Sequence, residues 1–227
     1  MADPAASPPV ALVHGFGSSF EHTWREPGWV DLLADVGREV VAIDLLGHGA
    51  SDKPHEPEAY LALESDLAAK LPPVVDAIGF SLGARTLLGV AMEQPDRFRR
   101  LVLAGIGESL FRDDRNDAIA RAVEAGAASE EDIVGRLFAD YAGGTDNDRV
   151  ALAACMRRPG GPMVAAALKT VNVPVLVVLG AKDFAGPAGP LVDALPDARL
   201  VTLPGCDHFA TPKDFRFIDA ALDFIAS

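Results

Sequence analysis

The chain has little of what several large protein classes require. It contains two cysteines, Cys155 and Cys206, which lie far apart in the sequence, so a disulfide framework and a cysteine-based zinc site are both excluded. No apolar run approaches the roughly 20 residues that cross a bilayer. Basic residues are outnumbered 20 to 33, which leaves a formal net charge of −13. A surface this negative repels phosphate backbones and anionic membranes, and we expect no nucleic-acid partner.

What is present is the composition of a folded domain. Hydrophobic residues make up 49% of the 227 residues and charged residues 23%, which suits one domain with a substantial core. The first nine residues carry an acid and three prolines but no basic residue. Such a start is not typical of a secretory signal, and we expect a cytoplasmic protein.

Short apolar runs, each about as long as a buried strand, alternate with helical patterns along the chain. Nearly continuous hydrophobicity in such runs is typical of a parallel sheet with both faces covered. The predicted strands are Val10–Val13, Val40–Ile43, Val74–Gly79, Leu101–Gly105, Val173–Leu179 and Arg199–Leu203. The predicted helices cover residues 29–36, 59–70, 82–94, 188–195 and 214–226. The alternation predicts the α/β class with a mainly parallel sheet of about six strands.

Residues 110–167 interrupt this alternation. The segment has no strand pattern and predicts short helices over Asp114–Glu124, Ser129–Tyr141, with Ser129 as N-cap, and Asp146–Arg157. We interpret it as a short helical cap inserted into a core formed by residues 1–109 and 168–227. Such an insertion forms either a separate packing layer or a lid over a site.

The first chemical motif is Gly79-Phe80-Ser81-Leu82-Gly83, which follows a predicted strand and precedes a predicted helix. A sharp strand-to-helix turn strains the backbone at Ser81 and exposes its hydroxyl at the edge of the sheet. Larger side chains at the two glycines would collide with neighbouring elements. A strand-to-helix turn without chemistry is the alternative, but the flanking elements favour Ser81 as a nucleophile.

The second motif, His14-Gly15-Phe16-Gly17, directly follows the first predicted strand. Attack on an ester carbonyl places negative charge on oxygen, which two preorganised N–H groups stabilise by several kcal/mol. The N–H of Leu82 and the N–H of Phe16 are the predicted donors of this oxyanion hole. We interpret His14 as structural, with its ring hydrogen-bonded to the loop, rather than as a catalytic base.

A serine nucleophile needs a general base within hydrogen-bond reach. Of the five histidines, His208 alone lies on a loop between the last predicted strand and the final helix, where the order nucleophile, acid, base is completed. Asp183 directly follows the strong strand before it and is the predicted acid. Glu108 is the alternative acid, because its strand also ends near Ser81. Asp207 neighbours the base in sequence and is discounted.

With these residues in hand, the chain resembles the α/β-hydrolase superfamily in its esterase/lipase-like branch. The motifs, in order, are His14 to Gly17, Asp44 to Ser51, the Ser81 pentapeptide, Gly180 to Asp183, and Gly205 to His208. The resemblance implies the α/β-hydrolase fold with strand order 2-1-3-4-5-6, in which Asp44 and Ser51 brace the turn beside the oxyanion loop. Relatives usually carry a β-hairpin before the first strand, and nine residues precede Val10, so we expect this hairpin to be missing.

The resemblance implies a serine hydrolase that cleaves carboxylic esters through an acyl-enzyme formed on Ser81. We expect a small-molecule ester as substrate, in contact with Phe80, Arg85 and Phe111, and no cofactor or metal. Thioesterase and haloperoxidase activities use the same three catalytic residues and stay open. A ligand-binding receptor built on a hydrolase scaffold is a non-enzymatic alternative, against which the complete set of nucleophile, base and acid argues.

Arg85 lies four residues after Ser81, on the same face of the predicted helix. The interpretation that we prefer is a structural arginine paired with a nearby acid. However, the string Ser-Leu-Gly-Ala-Arg resembles the Ser-Leu-Gly-Gly-Arg of the menaquinone-pathway lyase, 2-succinyl-6-hydroxy-2,4-cyclohexadiene-1-carboxylate synthase, where the arginine helps to hold an acidic substrate. A lyase is therefore an alternative function. Further arginines of the cap could then contribute, although none aligns with a motif: Arg112, Arg115, Arg121 and Arg136.

Overall fold

A computed structural model describes residues 7–113 and 117–226 of the chain. Within these residues six strands form one sheet in the order β2-β1-β3-β4-β5-β6, and every neighbouring pair is parallel. The strands are β1 (Val10–Val13), β2 (Val40–Ile43), β3 (Val75–Phe80), β4 (Phe98–Ala104), β5 (Val175–Gly180) and β6 (Ala198–Leu203). The predicted fold class and strand order are confirmed.

The order in which the strands follow one another across the sheet changes direction at β1. β2 lies on one side of β1, whereas β3 and all later strands lie on the other. The connection that follows β1 therefore runs to one face of the sheet, and the connection that follows β3 runs to the other face. A crevice opens between the carboxyl ends of these two strands. Val13 at the end of β1 pairs with Gly79 near the end of β3, so the loops that follow these two strands start side by side.

Strand β4 begins three residues earlier than its apolar run indicates. Arg99 and Arg100 interrupt the hydrophobic pattern, but both belong to the strand and are half-buried. Arg99 is accommodated because its guanidinium group bonds to the carboxylate of Asp76 in β3. A charged residue in a strand was therefore stabilised by a partner that the local pattern could not reveal.

Within the described residues, eight α-helices surround the sheet. They are α1 (Trp29–Asp35), α2 (Leu63–Lys70), α3 (Leu82–Glu93), α4 (Asp117–Ala125), α5 (Ile133–Gly143), α6 (Arg149–Met156), α7 (Gly189–Ala194) and α8 (Phe215–Ala226). None of these helices is long and apolar enough to cross a membrane. The predicted helix 59–70 is divided, since residues Pro57–Ala62 form a 3₁₀ segment before α2.

Each face of the sheet has its own apolar core. Leucines of α2, α3 and α7 pack on one face, and aromatic residues of α1 and α8 pack on the other. On the second face the rings of Trp24 and Trp29 meet edge to face at 5.1 Å, and the Trp29 indole N–H donates to the Pro212 carbonyl at 2.8 Å. Both faces are thus sealed, as the continuous hydrophobicity of the strands requires.

Helices α4, α5 and α6 lie between β4 and β5 in the chain, and α4 packs against both of the others; we call the three the cap helices. The prediction of Ser129 as an N-cap was wrong. Helix α5 begins at Ile133, and the carboxylate of Asp132 caps it by accepting the Gly135 N–H at 2.8 Å. Asp148 caps α6 in the same way, two residues inside the predicted start. The predicted start of the first cap helix, Asp114, lies outside the described residues.

A buried ionic cluster ties the amino end of the sheet to the C-terminal helix. Asp76 in β3 is fully buried and accepts hydrogen bonds from the guanidinium groups of Arg38 and Arg99. Arg38 also donates to the carbonyl oxygens of Pro8 and Ile225. This end of β3 lies opposite to Ser81, so the cluster serves the stability of the sheet rather than chemistry.

Replacing Asp76 by Asn should lower the free energy of unfolding by about 3 kcal/mol or more, because two arginines lose the charge that compensates them. Urea unfolding at neutral pH measures the difference. Glu21→Gln is the control, since the exposed Glu21–Arg25 pair contributes less than about 1 kcal/mol. A loss for Asp76→Asn no larger than that of the control would contradict the structural role of the cluster.

Candidate active site

The turn between β3 and α3 holds Ser81 in a strained conformation. Its φ is +51° and its ψ is −112°. Among the residues that the structure describes, it is the only one other than glycine with a positive φ. The Ser81 N–H donates to the Ala104 carbonyl of β4 at 2.8 Å. Backbone strain of this kind persists where neighbouring structure enforces it, and it commonly marks a functional position.

The two glycines of the motif are required by close backbone contacts. A Cβ at Gly79 would lie 2.7 Å from the backbone nitrogen of Ala84, and a Cβ at Gly83 would lie 2.3 Å from the carbonyl oxygen of Val13. Helix α3 therefore starts directly against the end of β1. This contact brings the N-terminus of α3, with its unpaired N–H groups and positive dipole end, beside the loop that follows β1.

Three side chains from separate loops meet at this turn. The His208 Nε2 lies 3.0 Å from the Ser81 Oγ, and the His208 Nδ1 lies 2.9 Å from each carboxylate oxygen of Asp183. The side chains of His208 and Asp183 are buried. With the proton on Nδ1, Nε2 presents a lone pair to the serine hydroxyl, which is the arrangement that general-base catalysis requires.

Glu108, the alternative acid, lies elsewhere. Its carboxylate pairs with the Arg112 guanidinium at 3.3 Å, and both side chains are exposed. The structure thus brings together Ser81, Asp183 and His208, which are the three residues that the sequence analysis selected.

Two aromatic rings pack close to the imidazole of His208. The ring of Phe80 lies 4.9 Å from it and the ring of Phe184 lies 4.3 Å from it, centroid to centroid. Phe80 is fully buried and does not line the cavity beside Ser81, which corrects its expected contact with substrate. As part of β3 and its turn, Phe80 points into the protein and supports the imidazole instead.

The loop after β1 lies directly beside Ser81. A Cβ at Gly15 would lie 3.4 Å from the Ser81 Cβ and would collide with the Phe80 ring. Phe16 and Leu82 both border the cavity that contains the Ser81 hydroxyl. Within the described residues, neither of their backbone N–H groups has a hydrogen-bond acceptor, so both can donate to a ligand oxygen.

Two buried histidines pack beneath this loop, on the side of the protein core. The His14 Nδ1 donates to the Gly15 carbonyl at 2.8 Å, and its Nε2 accepts the Leu45 N–H at 3.1 Å. His48 lies next to it, with ring centroids 5.2 Å apart, and meets the Phe16 ring edge to face at 5.7 Å. His14 therefore fixes the backbone, as expected for a structural residue, and lies away from the Ser81 hydroxyl.

Burial keeps both of these histidines neutral. Desolvation lowers the pKa of His14 below its usual 6.5. Desolvation, with a smaller contribution from His14, lowers the pKa of His48 to about 3. A neutral His14 is what the hydrogen bonds demand, because its Nε2 must accept the Leu45 N–H.

Above Ser81 lies a cavity of about 280 Å³ between the loops and the cap helices. Its walls are mainly apolar, but three of the residues that line it are arginines: Arg85, Arg112 and Arg158. Leu110 lines it, whereas Phe111 packs against the apolar core. The expected contact of Phe111 with substrate is therefore corrected, because in the 3₁₀ turn Glu108–Phe111 it is Leu110 that borders the cavity.

The arginines differ in their surroundings. Arg85 lies 3.7 Å from the Glu64 carboxylate and donates to the Gly161 carbonyl at 3.3 Å, which is the acid pairing that we preferred, yet it also borders the cavity. Arg158, at the end of α6, was not predicted; its signal was the Arg157-Arg158 pair before a Pro-Gly-Gly-Pro turn. Of the cap arginines considered earlier, Arg112 lines the cavity, Arg121 pairs with Asp117, Arg136 is exposed, and Arg115 lies outside the described residues.

Comparison with known proteins assigns the sequence to one family. A model of the alpha/beta hydrolase family matches residues 10–220 of the chain. The chain belongs to the α/β hydrolase family. The matched residues include the whole sheet and the loops that carry Ser81, Asp183 and His208, so the family and the hydrolase class are established for the region that contains the site.

Two curated relatives resemble this α/β hydrolase over most of its length. A Bacillus subtilis protein designated 2-succinyl-6-hydroxy-2,4-cyclohexadiene-1-carboxylate synthase is 29% identical, over 90% of this chain and 85% of its own. A pimeloyl-[acyl-carrier protein] methyl ester esterase of Nitrosomonas europaea is 26% identical, over 88% of each chain. One relative is designated a synthase and the other an esterase.

Solved structures agree on the fold of the α/β hydrolase. The enol-lactonase from Burkholderia xenovorans superposes with a TM-score of 0.71 at 22% identity, covering 100% of this chain and 94% of that one. A meta-cleavage product hydrolase from Pseudomonas fluorescens superposes with a TM-score of 0.73 at 20% identity, covering 97% and 91%. At these identities the likeness concerns the architecture alone.

The neutral state of His48 has a measurable consequence for stability. Its folded pKa of about 3 lies below the usual 6.5, so the unfolded chain binds a proton more readily, and stability falls as the pH decreases from 6.5 toward 3. Between pH 7 and pH 4.5 this one group should cost about 2–3 kcal/mol. Urea unfolding at both pH values should therefore show a smaller acid-induced loss for His48→Gln than for the wild type. Equal losses in the two proteins would contradict the buried neutral state.

Proposed function

We propose that this α/β hydrolase is a serine esterase that cleaves small carboxylic esters through an acyl-enzyme on Ser81. The observation that carries the proposal is the continuous series of hydrogen bonds from Asp183 through His208 to Ser81. Its Ser81 end faces a cavity bordered by Phe16 and Leu82, whose N–H groups are unpaired within the described residues. Nucleophile, base, acid and oxyanion donors are thereby available at one point.

In the proposed reaction His208 removes the hydroxyl proton as the Ser81 Oγ attacks the ester carbonyl. The carbonyl oxygen becomes an oxyanion, which the N–H groups of Phe16 and Leu82 stabilise. Asp183 holds the imidazole in the Nδ1–H tautomer and stabilises the imidazolium. The imidazolium then gives its proton to the leaving alcohol. Water hydrolyses the acyl-enzyme in a second step, in which His208 acts first as base and then as acid toward Ser81.

Replacing Ser81 by Ala should lower the turnover of a p-nitrophenyl ester by about four orders of magnitude or more, because the covalent route is lost. Steady-state kinetics and labelling by a fluorophosphonate probe are the measurements. Ser65→Ala, at an exposed position of α2, is the control and should keep wild-type kcat and label fully. Substantial turnover by Ser81→Ala, or unchanged labelling of that variant, would contradict the proposal.

A second candidate, a reaction on an acidic substrate, is favoured by the three arginines around the cavity. Arg85, Arg112 and Arg158 would attract a carboxylate into a mainly apolar space where charge–charge contacts are strong. The Bacillus subtilis relative, designated a synthase of a cyclohexadiene carboxylate, is consistent with such a substrate. The candidate comprises the lyase reaction itself and the hydrolysis of an ester that carries a free carboxylate.

If the substrate is acidic, the protein should prefer a carboxylate-bearing ester to a neutral ester of matched length. Arg158→Gln and Arg85→Gln should then raise the KM for the acidic ester by about tenfold, the effect of a lost charged contact, and leave the KM for the neutral ester within about twofold. Kinetics on the two esters, and on the enol-type substrate of the synthase, make the comparison. Equal kcat/KM on acidic and neutral esters, unaffected by either substitution, would exclude this candidate.

A further inference from the structure

The loop that carries the Phe16 N–H is bound by the start of α6 as well as by the core. The side-chain amide of Asn147 donates from Nδ2 to the Ser18 carbonyl at 2.9 Å, and its Oδ1 accepts the Gly49 N–H at 2.8 Å. One side chain from the segment between α5 and α6 thus joins the loop after β1 to the loop after β2. Both bonds use the neutral amide, which has a donor and an acceptor on the same group.

Thr145 adds a second contact from the same segment. Its hydroxyl lies 3.2 Å from the Gly17 carbonyl and 2.8 Å from the Ala142 carbonyl, and it accepts the Asn147 amide at 3.0 Å. The two side chains therefore form one network. Its targets are the consecutive carbonyl groups of Gly17 and Ser18, directly after Phe16.

The backbone on both sides of Phe16 is flexible by its sequence, so contacts from outside the loop bear on its conformation. Gly15 and Gly17 flank Phe16, and Gly17 adopts a φ of +73°, so the backbone is intrinsically permissive there. From the core side, His14 fixes the Gly15 carbonyl, which belongs to the same peptide unit as the Phe16 N–H. From the other side, a Cβ at Gly17 would lie 3.3 Å from the Ala142 Cβ of α5. The loop is thus enclosed between the two buried histidines and the cap helices.

We propose that Asn147 and Thr145 are positioning residues that hold the Phe16 N–H toward the oxyanion site, so that the cap helices contribute to catalysis through the loop after β1. This inference rests on the proposed function of Ser81 and its oxyanion donors. An N–H donor stabilises the oxyanion only in the correct place, and removal of one donor costs about 10²- to 10³-fold in kcat. Loss of an element that positions the donor should cost less than loss of the donor itself.

The test compares variants that remove each contact with variants that keep it. Asn147→Ala removes both amide bonds, and Thr145→Val removes the hydroxyl at constant shape, whereas Thr145→Ser retains it. On a p-nitrophenyl ester, kcat should fall about tenfold or more in the first two variants, with KM within about twofold. Thr145→Ser should restore most of the activity. Asp146→Asn, at the exposed neighbouring position, is the control and should behave as the wild type.

A transition-state analogue separates positioning from general damage to the fold. The inhibition constant of a trifluoromethyl ketone, whose hemiketal oxyanion occupies the same donors, should rise by the same factor by which kcat falls. Unchanged kcat in both variants, an effect on KM alone, or a fall in kcat with an unchanged inhibition constant would overturn the proposal. If Asn147→Ala does not fold by circular dichroism, Thr145→Val decides alone. Failure of the esterase proposal is distinguishable, because it would appear as a wild-type protein without turnover of the ester or as turnover that Ser81→Ala retains.

Discussion

The chain changes from a central strand to a helix at one residue, and the geometry of that turn determines the rest of the site. Helix α3 can start there only because Gly79 and Gly83 have no Cβ. A Cβ at Gly79 would lie 2.7 Å from a backbone nitrogen, and a Cβ at Gly83 would lie 2.3 Å from a carbonyl oxygen. With this conformation of Ser81, both Ser81 and Leu82, the first residue of α3, border the cavity. Parallel packing then brings the loops after β1, β5 and β6 to the same edge, so residues distant in sequence meet at one serine.

The site is built from groups that are neutral or compensated where they are buried. His14 and His48 stay uncharged beneath the loop after β1 because burial lowers the pKa of each. The imidazole of His208 packs against two phenylalanine rings, and its Nδ1 bonds to the Asp183 carboxylate. Hydrogen bonds and charge–charge contacts between buried groups are stronger than the same contacts in water.

Much of this arrangement could be predicted from the sequence because it depends on local patterns. Strand periodicity, the glycine spacing around Ser81 and the order of Ser81, Asp183 and His208 along the chain each follow from chain-local rules. The errors have a common cause in tertiary contacts. Whether Phe80 and Phe111 face the cavity or the core depends on packing between elements, and Arg158 reaches the cavity only through the fold of the cap helices. Asp132 rather than Ser129 is the N-cap of α5, because the chain first forms a turn in which the Ser129 carbonyl accepts the Asp132 N–H.

The most direct test of the account is a crystal structure of the protein after reaction with an alkyl fluorophosphonate, which mimics the tetrahedral intermediate. We expect a single adduct on the Ser81 Oγ, with the phosphonyl oxygen about 3 Å from the backbone nitrogens of both Phe16 and Leu82, and with His208 still bound to Asp183. An adduct on another residue, or a phosphonyl oxygen directed away from both N–H groups, would contradict the convergence of nucleophile and oxyanion donors on which the proposed chemistry depends.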